Sequence, residues 1–158
     1  MNQVIVPDAH PLSQITHPRI KPSVQKWLKS LDKETVIKVA EITDYELRRE
    51  LLRTGKQKSI ERLNKFNQEV GLIPLNSAVM QKAAELWAWT RNKGKPTASN
   101  DSLDGDVILV SQAIIQLNNF DKITIATTNT KHISLFKDLG IDVLDWMETL
   151  EGFSDTSA

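Results

Sequence analysis

The chain has 158 residues, 40% of them hydrophobic and 25% charged, with 20 Lys+Arg balanced by 20 Asp+Glu and no cysteine. This is the composition of one globular domain with a real core, and it excludes disorder, disulfides and thiolate metal sites. A formal net charge of +0 excludes a chain that is basic throughout, so any polyanion contact must be a local patch.

Val4-Ile5-Val6 reads as a short strand, ended by Pro7 and followed by Asp8. Pro7, Asp8 and His10 break the only apolar stretch near the N-terminus, so no signal peptide is expected and a cytoplasmic location is. No apolar run reaches the ~18 residues that span a bilayer, so no membrane contact is expected. The prolines and histidines of 9–22 predict a helical turn and a loop, and 23–31 predicts a helix with Val24, Trp27, Leu28 and Leu31 on one face. A second strand follows at 36–39, then a helix over 42–53 ended by Gly55 and a charged helix over 58–70. Residues 72–75 form a third strand whose Pro74 argues for an edge or an end. Ser77 caps a long helix to about residue 93, and 94–100 is a loop.

Leu103, Val107, Val110, Ile114 and Leu117 recur at helical spacing, so a helix begins near 103 with Asp101 or Ser102 as its cap. A fourth strand spans 122–128, a short helix 133–139 and a fifth strand 141–144. Residues 1–150 make one domain, with 151–158 as a frayed tail. Strands separated by helices predict an α/β three-layer sandwich around a largely parallel sheet of about five strands.

In such a sheet ligands gather beyond the carboxyl ends of the strands. Asp8 follows the first strand, Glu46 lies in the first turns of the helix after the second, Asp104 and Asp106 open their helix, and Asn129 follows the fourth strand. All five fall on one edge. Capping accounts for any one acid in a first turn, but it covers Asp106 least well, because that residue sits about 60° from the centre of the apolar stripe. Several carboxylates and an amide, without clustered histidines, form a hard oxygen-donor set suited to Mg²⁺ or Mn²⁺. An ion held there activates water and neutralises charge on a phosphoryl group, so phosphodiester hydrolysis follows from these residue types. No nucleophile elbow, Walker loop or dinucleotide fingerprint is present.

The strand ending in Asp8, Thr43-Asp44-Tyr45-Glu46-Leu47, Asp106-Val107-Ile108-Leu109-Val110 and Ile125-Ala126-Thr127-Thr128-Asn129 resemble, in this order, the motifs of the PIN-domain family. That family consists of metal-dependent ribonucleases and includes VapC-type toxins. The resemblance covers roughly residues 3–145. It implies that Asp8, Glu46 and Asp106 are catalytic metal-ligand acids, with Asp104 as an additional acid and Asn129 and Thr128 supporting them. It also implies single-stranded RNA as substrate, Mg²⁺ or Mn²⁺ as cofactor, a cognate antitoxin as partner and a homodimer. Two departures stand out: Pro7-Asp8-Ala9-His10 lacks the hydroxyl that usually follows the first acid, and Glu50 stands where a glycine is common.

The densest basic run is Arg48, Arg49, Arg53, Lys56 and Lys58. It would either grip an RNA backbone, with Arg49 and Arg53 as contacts, or pair with Glu46 and Glu50 along a solvated helix. Lys95 and Thr97 are further substrate candidates, and Trp87 and Trp89 would either stack bases or pack apolar surfaces. Trp27 and Trp146 read as core. Two other functions are compatible with these residues: a PIN-like RNA- or protein-binding module without catalysis, and a phosphotransfer domain using Asp8 as nucleophile. The second lacks the lysine expected after a late strand.

Overall fold

The first strand is apolar on both faces, and this places it inside a sheet covered on both sides. A computed structural model describes residues 2–93 and 100–154, with side chains described for 2–93 and 103–154. Four parallel strands run in the order β2 (Thr35–Ile37), β1 (Gln3–Pro7), β5 (Lys122–Thr127), β6 (Asp142–Asp145). Val4 and Val6 pack into one apolar cluster with Val107, Val110, Ile123 and Ile125, whereas Ile5 points the other way into a cluster with Trp27 and Trp146. The result is the expected three-layer α/β sandwich.

The strand count differs from the expected five in one sheet. The predicted strand at 36–39 splits at Lys38, whose N–H still bonds the Ile5 carbonyl while the next N–H, of Val39, bonds Gly71. The chain thereby leaves the main sheet and forms a second parallel pair, β3 (Val39–Ala40) with β4 (Leu72–Ile73). β4 stops at Ile73 because Pro74 has no N–H to donate. At 9–22 the chain also forms more helix than expected. α1 (Ala9–Ile15) tolerates Pro11 because the first turn has no intrahelical acceptor for that N–H.

The remaining helices follow the sequence closely: α2 (Pro22–Ser30), α3 (Glu41–Arg53), α4 (Gln57–Val70), α5 (Ser77–Asn92) and α6 (Asn100–Ile115). The cap of α5 is Asn76 rather than Ser77, with its side-chain oxygen accepting from the Val79 N–H at 2.9 Å. The predicted helix at 133–139 is a short α7 (Thr130–Ile133) followed by a 3₁₀ stretch, Ser134–Leu139. α8 (Trp146–Glu151) is an added element, and Phe153 beyond it packs on the Trp27–Trp146 cluster. Trp27 and Trp146 meet edge to face at 4.9 Å in the core, as their sequence context indicates.

α6 is buried around more of its circumference than its stripe suggested: Leu109, Ser111, Gln112 and Ala113 are buried too, while Leu117 is exposed. Gln112 fixes its orientation. The side-chain amide of this buried residue donates to the Ile73 carbonyl at 2.6 Å and accepts from the Ile42 N–H at 3.2 Å. One side chain thus ties α6 to β4 and to the start of α3. Lys95, Thr97, Asp101, Ser102 and 155–158, with the roles the sequence suggests for them, lie outside the described side chains.

Candidate active site

The chain goes from β1 through α1 and α2 to β2 on one side, and from β5 through α7 to β6 on the other. β1 and β5 are neighbours, so their connections diverge and leave a crevice beyond their carboxyl ends. Asp8 sits there. It caps α1, its Oδ1 accepting from the Ala9 N–H at 2.8 Å, and its own N–H bonds the Ala126 carbonyl at 2.8 Å. Asp8 Oδ2 accepts from the Thr127 hydroxyl at 3.0 Å, and Thr127 Oγ1 in turn accepts from the Asn129 N–H at 2.9 Å.

The support for the first acid therefore comes from Thr127, which is buried at the end of β5. It supplies from across the sheet the hydroxyl absent after Asp8. Thr128, the residue the sequence points to, is exposed. Asn129 lies beside this network with its side-chain amide 2.9 Å from His132 Nδ1.

Glu46 comes from the second turn of α3, and Asp106 from the second turn of α6. The carboxyl of Glu46 lies over Gly105, where a methyl group would stand 3.4 Å from both of its oxygens. Burial, followed by the charges of Asp8 and Glu46, pushes the Asp106 carboxyl up to about 7 from 3.8. Burial and then the charge of Asp8 also raise Glu46, with Arg49 pulling it back. Mutual influence of this kind is that of carboxylates facing a common crevice, and it links Asp8, Glu46 and Asp106.

Asp104 is not part of that group. Two residues apart on a helix means about 200° apart. Asp104 is exposed and lines a separate hollow of about 380 Å³ with Met80, Ala83, Trp87, Val107 and Ile108. Trp89 packs on Phe136 under Lys93, and half-exposed Trp87 lies beneath Arg91. Arg53 pairs with Glu50, Arg48 grips Asp44 through two bonds of 3.0 Å, and Arg49 lies 5.1 Å above the Tyr45 ring. Asp44, also bonded by Asn67 at 2.7 Å, is thus occupied, and Glu46 is the acid of α3 that faces the site.

Among the described residues, no three carboxylate or imidazole side chains are already drawn in as an ion cage. Asp8, Glu46 and Asp106 act on one another electrostatically without standing at that spacing. Two observations fit them to a hard dication. Asp106 Oδ2 is buried with no hydrogen-bond partner among the described residues, and the strain on the cluster is of the kind a positive ion relieves. Gly105→Ala offers a test of this packing. Alanine in a helix gains about 0.5–1 kcal/mol over glycine, but its methyl would cover one side of the Glu46 carboxylate. The expected outcome is a higher urea midpoint together with Mn²⁺ binding weakened about 10-fold by calorimetry. Unchanged Mn²⁺ affinity would place the ion elsewhere.

No protein-family model and no curated protein matches the chain. Solved structures do match. VapBC2 from Rickettsia felis bound to a promoter DNA fragment superposes with a TM-score of 0.70 at 19% identity, covering 90% of this chain and 99% of the other. FitAB bound to the IR36 DNA fragment gives 0.64 at 23% identity, covering 90% and 95%. VapBC-1 from nontypeable Haemophilus influenzae gives 0.62 at 16%, covering 92% and 98%. The toxin component of such complexes is a PIN domain. The chain has a PIN-type fold. Within that fold, Asp8, Glu46 and Asp106 occupy the crevice beyond β1 and β5, and among the described residues no helix is long and apolar enough to cross a membrane.

Proposed function

We propose that this protein is a Mg²⁺- or Mn²⁺-dependent endoribonuclease acting on single-stranded RNA, and the toxin of a toxin–antitoxin pair. The reading rests chiefly on the mutual influence of Asp8, Glu46 and Asp106 at the β1–β5 crevice, with one buried Asp106 oxygen that has no hydrogen-bond partner among the described residues. The PIN-type fold shared with VapBC and FitAB supports it. A cognate antitoxin, a homodimer and a cytoplasmic location complete the proposal.

Asp8, Glu46 and Asp106 would hold the ion, while Asp104, on the other flank of α6, would stand outside that set. When bound, the ion supplies a water of lowered pKa and neutralises charge on the phosphoryl group. Thr127 keeps Asp8 turned toward the crevice, so that this carboxylate need not reorganise when substrate arrives. Arg49, exposed over Tyr45 and close enough to act on Glu46, is placed to meet a backbone phosphate.

Incubating the protein with end-labelled single-stranded RNA should yield fragments with a 5′-phosphate and a 3′-hydroxyl when Mn²⁺ is present and none in EDTA. Asp8→Asn should abolish that cleavage while leaving the helical circular dichroism spectrum intact. Cleavage by the variant at the wild-type rate would rule the mechanism out. Binding of RNA with no cleavage under any divalent ion would leave a binding module in its place.

A further inference from the structure

Folding dissolves the basic run from Arg48 to Lys58 and builds a different one. Arg48 and Arg53 are paired within α3 with Asp44 and Glu50, and Arg49 lies over Tyr45 on the side of the acid crevice. Lys56 and Lys58, at the start of α4, turn instead toward the loop between α1 and α2. Two adjoining hollows of about 310 and 500 Å³ lie there, both lined by Pro18, Arg19 and Lys58. Lys56 lines the first, and Arg62 and one acid, Glu61, the second. Arg62 and Lys65 continue the line into a smaller hollow against Thr16.

Lys58, Arg62 and Lys65 stand at i, i+4 and i+7, on one face of α4. Among the described residues, none of these three, nor Arg19 or Lys56, forms an ion pair with a carboxylate. Glu61 and Glu69 share these hollows at i+3 and i+4 from Lys58 and Lys65 and offset part of the repulsion, yet neither closes an ion pair among the described residues, so the cations outnumber the carboxylates and stay available to a polyanion.

We propose that this cleft, between the α1–α2 loop and α4, is a docking track for the phosphate backbone of single-stranded RNA, separate from the acid crevice. This rests on the reading of the protein as a ribonuclease. The two main hollows offer no large apolar side chain, only Pro18, to anchor a protein partner or enter a lipid layer. α1 joins track and crevice: Asp8 caps its start, and its end at Thr16 leads directly into His17, Pro18 and Arg19. Seven helical residues span about 10 Å, so a strand a few nucleotides long lying in the track would place an adjoining phosphodiester at the acids.

The test is fluorescence anisotropy with a labelled single-stranded RNA of about 20 nucleotides in EDTA, where cleavage plays no part, across a range of salt concentrations. Lys58→Glu/Arg62→Glu should weaken binding at least about tenfold and flatten the salt slope by about 1.4, two phosphate contacts at ~0.7 each. Lys58→Gln/Arg62→Gln should give a smaller loss, and Lys29→Glu/Lys137→Glu, at exposed lysines elsewhere, should leave binding within about twofold. Melting curves confirm that each variant is folded.

Equal RNA binding by the Lys58/Arg62 variants and the wild type would overturn the proposal. So would loss of binding to phosphatidylserine vesicles with RNA binding unchanged, which would make the cleft a membrane contact. Because binding is read without a divalent ion, failure of the catalytic reading appears separately, as absence of Mn²⁺-dependent cleavage while the RNA affinities stand.

Discussion

Asp106→Asn is expected to make the ion-free protein more stable at about pH 8, by something on the order of 2–4 kcal/mol. The folded state pushes this carboxyl up to about 7 from 3.8, so between those values the native protein keeps a proton that the unfolded chain has released. Stability therefore falls as pH rises through that window and stays low above it. Full conversion of the shift would give about 4 kcal/mol, and solvent on the open side of the crevice reduces it. Asparagine removes the charge and with it the slope. Urea unfolding at about pH 5 and pH 8 measures both, and a variant weakened equally at the two pH values would show that no such repulsion exists. Mn²⁺ at about 100 times its Kd should stabilise the wild type by about 2.7 kcal/mol and leave the variant almost unmoved.

Thr127→Val should do the opposite to stability and also disable the site. Valine fills the same buried space but neither donates to Asp8 nor accepts from the Asn129 N–H. Losing these bonds costs about 1–3 kcal/mol, and Mn²⁺ affinity or cleavage should drop about 10- to 100-fold, as for other groups that orient a metal ligand. Thr127→Ser restores the hydroxyl and should recover most of the ion affinity. A purely structural role would lower the melting temperature of the valine variant and leave its Mn²⁺ affinity unchanged.

The acids were legible because strand ends and helix starts can be read from local pattern, and one rule about parallel sheets then puts Asp8, Glu46 and Asp106 on one edge. Thr127 was not. β5 is buried on both faces, so its residues give no alternation from which to tell which of two adjacent threonines turns toward Asp8. The split at Lys38 was hidden for a related reason: a run of apolar residues looks continuous whether it serves one sheet or two. Charge misled in another way. Residues 48–58 are neighbours in sequence, yet helix geometry and the turn after α3 divide them between different surfaces, and Arg19 and Arg62 join them only in the folded chain. Asp104 and Asp106 read as a pair on paper, while the helix turns them to opposite flanks.

The bond between Thr127 and Asp8 spans 119 residues, and β5 must lie against β1 before it can form. A polypeptide still emerging from the ribosome thus carries its first acid long before the group that steadies it. Under the proposed function such a precursor would be catalytically silent until the late strand is added, and a cell would meet cleavage only from finished molecules.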